Sequence, residues 1–533
     1  MAKERIRSRM KVFLACVMCM LLLIVSTGIT TAFAEGEPVL IRWYQESRGL
    51  DPASDRVLQT IQQKFNIEFE FIEPPADGSN ERLNLLVSTG EQMDLITSFS
   101  VDQVAYQWAE DDFIYSWDEL MEGKDYPLIR KLLDAEVFES LKVNGKSYFK
   151  PQPLVPGNRG YVINKDWLDK VGLDIPTTID EFYEVIKAFK EDDPDGNGVD
   201  DTYGFYVAEP IGSNAFGYIC RAFIDCDVWG GTWVETADGG VTQFAVSEEA
   251  KEAFRFIKKC YDEDLFNKNF VNEIDAVGKV EDLLVQQRIG ITDLSQPQTV
   301  LTKMEEAGVE LNLVYLPPLT KTNGEPGTLP HSGGYWSFHM IPRTCSNPDV
   351  ILDLLEWALT EEGRELTMFG LEGVHYNGYT QVGNNRVYNI NEEEMEKDWS
   401  TSDYGFIHPM SWGAFNYCEN TYIPLEDYDT FDEAYANLER WGDFDPTGTL
   451  LETWFNDNAQ YAKLRPLQGV IAQEVQVPQT LQDIEISGRT KAIVEPAEDF
   501  DKNWDEFVEL WLNQGGAELI EAANEYLSEH AQE

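Results

Sequence analysis

Hydrophobic and polar positions along this chain follow two periods, and each period predicts a kind of element. Ile67-Glu-Phe-Glu-Phe71 repeats every second residue, as a strand with one wet face does. Ile179, Phe182, Ile186 and Phe189 recur at spacings of three, four and three, which places them on one stripe of a helix facing a core. Thr178 with Glu181 three residues on is a capping box, and it marks where that helix starts. The same reading predicts strands at 39–44, 93–97, 288–292 and from Tyr161 onward, with helices at 82–89, 248–262, 278–287 and 348–360. Strand, helix, strand over 67–97 calls for a right-handed crossover and a parallel pair. Asn144-Gly145 signals a type I′ hairpin within 143–148. Phe500, Trp504, Phe507 and Trp511 form a later stripe, Gly515-Gly516 breaks it, and Leu519, Ile520, Ala523 and Leu527 carry a last helix. The class is α/β.

Composition changes the picture at the N-terminus first. Lys3, Arg5, Arg7, Arg9 and Lys11 precede an apolar run over 12–25, and Ala32-Phe33-Ala34 supplies small residues at a cleavage site. Residues 1–34 therefore read as a signal peptide of an exported chain, the apolar run being shorter than the ~20 residues that span a bilayer. Its removal takes five basic residues and one acidic, leaving 36 against 94 in about 499 residues. Such a charge repels phosphate backbones, so no nucleic-acid partner is expected. It also disfavours an anionic ligand unless a local basic cluster overrides the field. With 43% hydrophobic and 12% aromatic residues the chain has enough apolar surface to fold. Its length calls for two lobes rather than one core. We expect 35–155 plus 288–338 in the N-terminal lobe and 156–287 plus 339–533 in the C-terminal lobe. Five cysteines remain, at 220, 226, 260, 345 and 418, without metal-ligand spacing. Cys220 and Cys226 are close enough for one bridge, and the alternative is small buried apolar residues.

One motif points to a metal. After the helix that starts at Thr178, Asp193, Asp195 and Asn197 alternate, Gly198 occupies loop position six, the Val199 carbonyl position seven and Asp201 position nine. Hard Ca²⁺ takes six to eight oxygens, and this spacing brings them to one point, so a structural calcium is expected. Position twelve is Gly204, so the bidentate glutamate of a full loop is missing. An Asp/Gly/Asn turn after a helix is the simpler alternative.

The ligand residues expected from pattern lie where strands end and where aromatic rings meet glycine. Ligands of open α/β sheets sit outside the carboxyl ends of strands, which selects Trp43 and Ser98. Arg159 precedes the Tyr161 strand at the lobe junction. An aromatic section containing Tyr218, Arg221 and Phe223 leads to Trp229 and Trp233 around Gly230-Gly231, rings able to stack on the C–H faces of sugars. Trp336 would stand beside the hinge, and Tyr376 and Trp412 lie in a long aromatic-studded region. No zinc-protease, nucleophile-elbow, P-loop or Cys-x-x-Cys motif occurs, and there are only five histidines, so acid–base or metal catalysis is not expected. A glycosidase needs only two carboxylates, and that alternative stays open.

Tyr161-Val-Ile-Asn-Lys-Asp-Trp-Leu-Asp-Lys-Val-Gly-Leu-Asp-Ile-Pro-Thr-Thr178 and the aspartate loop resemble family 1 of the extracellular solute-binding proteins of ABC importers. Gly90 to Ile96, Gln287 to Ile291, Gly370 to Tyr376 and Phe500 to Tyr526 agree in order, over nearly the whole mature chain. The likeness is to the lipoprotein-like subgroup related to alginate-oligosaccharide-binding proteins. That subgroup is often anchored through a cysteine after the apolar run, whereas Cys16 and Cys19 lie inside it here. The resemblance implies a two-lobe periplasmic-binding-protein fold of type II, hinged by several chain crossings. It implies a monomer at the cell surface or in the periplasm that captures an oligosaccharide for ABC permease subunits. A peptide is the alternative cargo.

Overall fold

The computed structural model describes residues 37–530 apart from internal stretches, the longest being 154–159, 208–215, 227–232, 408–420, 443–460 and 465–474. The expected leader lies outside the described residues. Strands β1 (Val39–Tyr44), β2 (Ile67–Ile72), β3 (Leu95–Ser98) and β4 (Lys150–Pro153) come first. They are followed by β5 (Gly160–Asn164), β6 (Tyr203–Tyr206), β7 (Ile289–Leu294), β8 (Leu313–Leu316) and β9 (Tyr335–Met340). These strands form two sheets, ordered β2-β1-β3-β9-β4 and β8-β5-β7-β6. In the first, β1 is parallel to both β2 and β3, so the two strands of 67–97 expected to pair are parallel but separated by β1, and β9 runs antiparallel to β3 and β4. β2 alternates buried Ile67 and Phe69 with exposed Glu68 and Glu70. The Asn144-Gly145 turn has φ of 50° and 70°, the left-handed pair a type I′ hairpin requires.

The lobe boundaries differ from those the sequence pointed to. Residues 288–338 were assigned to the first lobe, but β7 pairs with β5 and β6, and β8 pairs with β5, so both belong to the second. The return falls later, at β9, which lies between β3 and β4. Residues after 339 do not all follow the second lobe either. The helices Pro348–Ala358 and Glu361–Phe369 stay with the first lobe, where Ile351, Leu354 and Leu355 join Trp43, Ile96 and Phe338 in one core. The C-terminal helices Gln479–Val494 and Phe500–Trp511 return, burying Leu481, Trp504, Phe507 and Trp511 against Phe182, Phe189 and Phe254, and Leu519 and Ile520 of Ala517–His530 pack against the same core. Sheet membership thus puts crossings between Pro153 and Gly160, between Leu316 and Tyr335, and between Gly442 and Gln479.

Both faces of the second sheet are covered. Tyr161 and Ile163 of β5 face the core with Phe182 and Phe189, while Val162 faces Leu284, Met304 and Tyr315. The helix Ile179–Glu191 presses against this sheet closely. A Cβ at Gly204 would sit 2.1 Å from the Ile186 carbonyl oxygen, and one at Gly290 would sit 2.2 Å from the Phe189 ring. Thr178 caps the helix through the Glu181 amide at 3.3 Å. The Glu181 carboxylate reaches one residue further back than a capping box predicts, accepting from Thr177 N at 2.8 Å and Thr177 Oγ1 at 2.7 Å.

Candidate functional site

The crossings connect the two sheets, and each sheet turns one set of strand ends toward them. Gly160 pairs with Leu294 and Tyr161 with Leu316, so the entry end of β5 and the exit ends of β7 and β8 share one edge. β6 is parallel to β7, which brings Tyr206 to the same edge. In the first lobe β4 runs parallel to β1 and β3, so Ser98 and Pro153 end at the edge from which the chain leaves. The junction of these edges is the candidate site.

Three of the expected ring platforms are packing residues instead. Trp43 is fully buried, its indole N–H donating to Thr97 Oγ1 at 2.9 Å and its ring 5.9 Å from Phe69 and 6.1 Å from His339. The pleat points its side chain into the first lobe's core rather than off the strand end. Trp233 is 2% exposed and packs with Val241 and Ala523 under the C-terminal helix Ala517–His530. Tyr376 packs with Phe369, Tyr388 and Trp441, and burial, helped by Glu365 and Glu372, pushes its phenol far up. Ser98 ends β3 at the junction, opposite Phe338 and largely buried. Trp336 lies where the β9–β4 register shifts between Tyr335 and Ser337, and its side chain is outside the described residues. Arg159, Trp229 and Trp412 lie outside them altogether.

Sequence reasoning passed over Arg221, which stands out in the structure. It follows the helical turn Gly217–Cys220, is 3% exposed, and has its guanidinium carbon 5.9 Å from the centroid of the Tyr161 ring at the junction edge. A lone cation inside an apolar segment was the available signal. His375 is structural: Nδ1 accepts from Leu371 N at 2.9 Å, and Nε2 is 2.9 Å from Asp398, which also pairs with Arg56. Burial lowers the affinity of this imidazole for a proton.

The aspartate loop leaves its helix with Asp193 at φ 47° and with Gly196 and Gly198 at φ 77° and 74°. Asp193 Oδ2 accepts from Gly198 N at 3.0 Å. The Asn197 amide donates to Asp195 at 2.6 Å and to Asp201 at 3.1 Å, so it stands between two carboxylates. Burial first, and then the Asp193 and Asp201 charges, hold the Asp195 carboxyl above its ordinary range. These oxygens suit a hard cation in kind. Their arrangement is not yet a cage. Among the described residues no three acidic, His or Cys side chains surround a common point at metal-binding spacing. Arg288 also takes up part of Asp201, 2.9 Å from its carbonyl and 3.3 Å from its carboxylate. The missing twelfth carboxylate has a steric cause, because Gly204 lies in β6 with no room for a side chain beneath Ile186.

A model of the bacterial extracellular solute-binding protein family matches residues 52–365. Over 510 residues the chain is 26% identical to the polygalacturonan/rhamnogalacturonan-binding protein YtcQ of Bacillus subtilis, covering 93% of this chain and 94% of the relative. Two solved structures share the two-lobe fold. One is an HMO-binding, ABC-transporter-associated solute-binding protein of Bifidobacterium longum infantis, with TM-score 0.65 and 16% identity over 92% of this chain and 99% of that one. The other is an EF-hand mutant of FusA, an ABC-transporter substrate-binding protein of S. pneumoniae, in complex with fructo-nystose. It has TM-score 0.62 and 19% identity over 92% of this chain and 99% of that one. No helix of the described residues is long and apolar enough to cross a membrane.

Proposed function

Because the chain belongs to the bacterial extracellular solute-binding protein family, we propose that it captures an oligosaccharide between its two lobes and delivers it, uncut, to the permease subunits of an ABC importer. The observation that carries this reading is the end-to-end match to a relative named for polygalacturonan and rhamnogalacturonan. The junction edges supply the place. Lobes joined by a few crossings hinge as rigid bodies, and a ligand touching both favours the closed form by its differential affinity for it. Ser98, Arg159, Trp229, Trp336 and Trp412 are proposed as contacts, whereas packing occupies Trp43, Trp233 and Tyr376. In this reading the chain is exported after loss of residues 1–34, works as a monomer and catalyses nothing. Asp193, Asp195, Asn197, the Val199 carbonyl and Asp201 would hold Ca²⁺, which would neutralise their mutual repulsion and brace the turn between the helix and β6.

Thermal melting of the protein from residue 35, at fixed calcium, against a panel of plant, host and algal oligosaccharides with peptides as controls tests the function. A ligand that binds only the folded form adds about 2.7 kcal/mol at a hundredfold excess over Kd. A shift with one glycan recovered intact is the expected result. Cleaved glycan would assign a hydrolase, and shifts with peptides alone would overturn the sugar cargo.

A further inference from the structure

We infer that the cargo bears a carboxylate, as a uronate-containing oligosaccharide does, and that Arg221 is the residue that recognises it. This rests on the carbohydrate-capture reading above and narrows its substrate class. Arg221 is 3% exposed, yet its Nε and Nη1 have no hydrogen-bond acceptor among the described residues. An ionised group taken out of water is costly unless it is paired. The chain holds 95 acidic residues against 41 basic ones, and two other enclosed arginines pair with them. Arg489, 7% exposed, meets Glu485 at 2.5 Å, and Arg386 meets Glu361 at 2.6 Å and Glu439 at 3.3 Å. Among the described residues no carboxylate pairs with Arg221, which leaves its Nε and Nη1 open for a group from outside the fold.

Position agrees with this assignment. The ring beneath the guanidinium belongs to Tyr161, the second residue of β5, on the edge where the lobes meet. Tyr161 is held there, its hydroxyl 3.3 Å from the amide of Tyr218, whose own hydroxyl donates to Pro317 O at 2.9 Å just past β8. The aromatic face offsets part of the cost of the buried charge but offers no acceptor in the guanidinium plane. A sugar carboxylate would supply one. The net charge of −54 repels an acidic ligand at long range, so short-range pairing at a buried cation is the way such a ligand could be held.

The test is calorimetric titration of wild type, Arg221→Met and Arg221→Lys with tri-uronates (galacturonate, glucuronate and mannuronate) as free acids and as methyl esters, at fixed calcium. Esterification removes the charge and leaves the sugar backbone. For wild type at least one free acid should bind about 30-fold or more tightly than its ester, the loss typical when one partner of a buried charge pair is removed. Arg221→Met should bring acid binding down to the level of the ester, and Arg221→Lys should retain part of the preference. Without ligand, the melting temperature of Arg221→Met should equal or exceed that of wild type, because the charge it removes is unpaired; a marked fall would assign Arg221 a structural role. Equal binding of acid and ester by wild type overturns the inference, whatever the variants do. So does an acid preference that survives in Arg221→Met. If neutral oligosaccharides bind and no uronate does, the inference falls while carbohydrate capture stands. If no glycan of either kind binds, both fall.

Discussion

Lys150 sits fully buried on β4, and its ammonium has no hydrogen-bond partner among the described residues. Its neighbour in register on β9 is His339, and the charge it feels most is that of Glu356, whose carboxylate is already engaged by the Leu128 and Ile129 amides. Burial therefore lowers its pKa from 10.5 to about 7. The sign of the consequence follows from proton counting. Between those two values the unfolded chain holds a proton that the native chain lacks, so stability should rise as pH rises through that window. Lys150→Met should stabilise the protein at neutral pH by about 1–3 kcal/mol and abolish the rise, which denaturant unfolding at about pH 7 and about pH 9.5 would reveal. An unchanged slope would refute this origin. The same scale shows why single residues were hard to read in advance. Trp43 and Tyr376 have the chemistry of sugar platforms, but a ring's role depends on what covers it. Here Thr97, Phe69 and His339 cover the first, and Phe369, Tyr388 and Trp441 surround the second. Of these, His339, Tyr388 and Trp441 lie on strands whose pairing no local pattern states.

At the scale of elements, local signals carried further. The stripe of Phe182, Ile186 and Phe189, the Thr178 cap and the Asn144-Gly145 turn form as written because each depends on neighbours within a turn or two. Gly515-Gly516 kinks rather than ends the last helical stretch: Gly515 takes φ 109° and helix resumes at Ala517. The aspartate loop marks the limit of such reading. Its ligand spacing is visible in sequence, whereas the reason for its missing glutamate lies in the contact of Gly204 with the Ile186 carbonyl across the helix–sheet interface. If calcium braces this turn, chelation should lower stability by on the order of 1–3 kcal/mol. Asp193→Ala should remove that calcium dependence, with melting in EDTA and in calcium as the measurement. Equal melting of wild type in both conditions would leave the loop as a hydrogen-bonded turn.

For the whole molecule, the consequential feature is that each lobe is assembled from distant segments. Trp504, Phe507 and Trp511 complete a core whose other members begin at Tyr161. Truncation before residue 477 should therefore leave the second lobe protease-sensitive while the first, whose core ends at Ala434, stays protected; limited proteolysis with mass mapping decides it. Tyr526 adds a tie between lobes, packing against the first lobe's core from a helix seated on the Trp233 hairpin. Two lobes, an α/β class, the helices and most strands were legible from periodicity, capping and length, because burying a stripe or a strand face is a local demand of the chain. Which lobe received residues 289–316, 335–442 and 479–530 was not legible. β7 and β9 are both short apolar strands, and their partners are chosen by hydrogen-bonding edges and by helices that come from elsewhere in the chain. The same holds for Arg221. Its residue type is written in the sequence, but its burial over Tyr161, with no acceptor for Nε and Nη1 among the described residues, exists only once the sheet and the turn after β6 have come together.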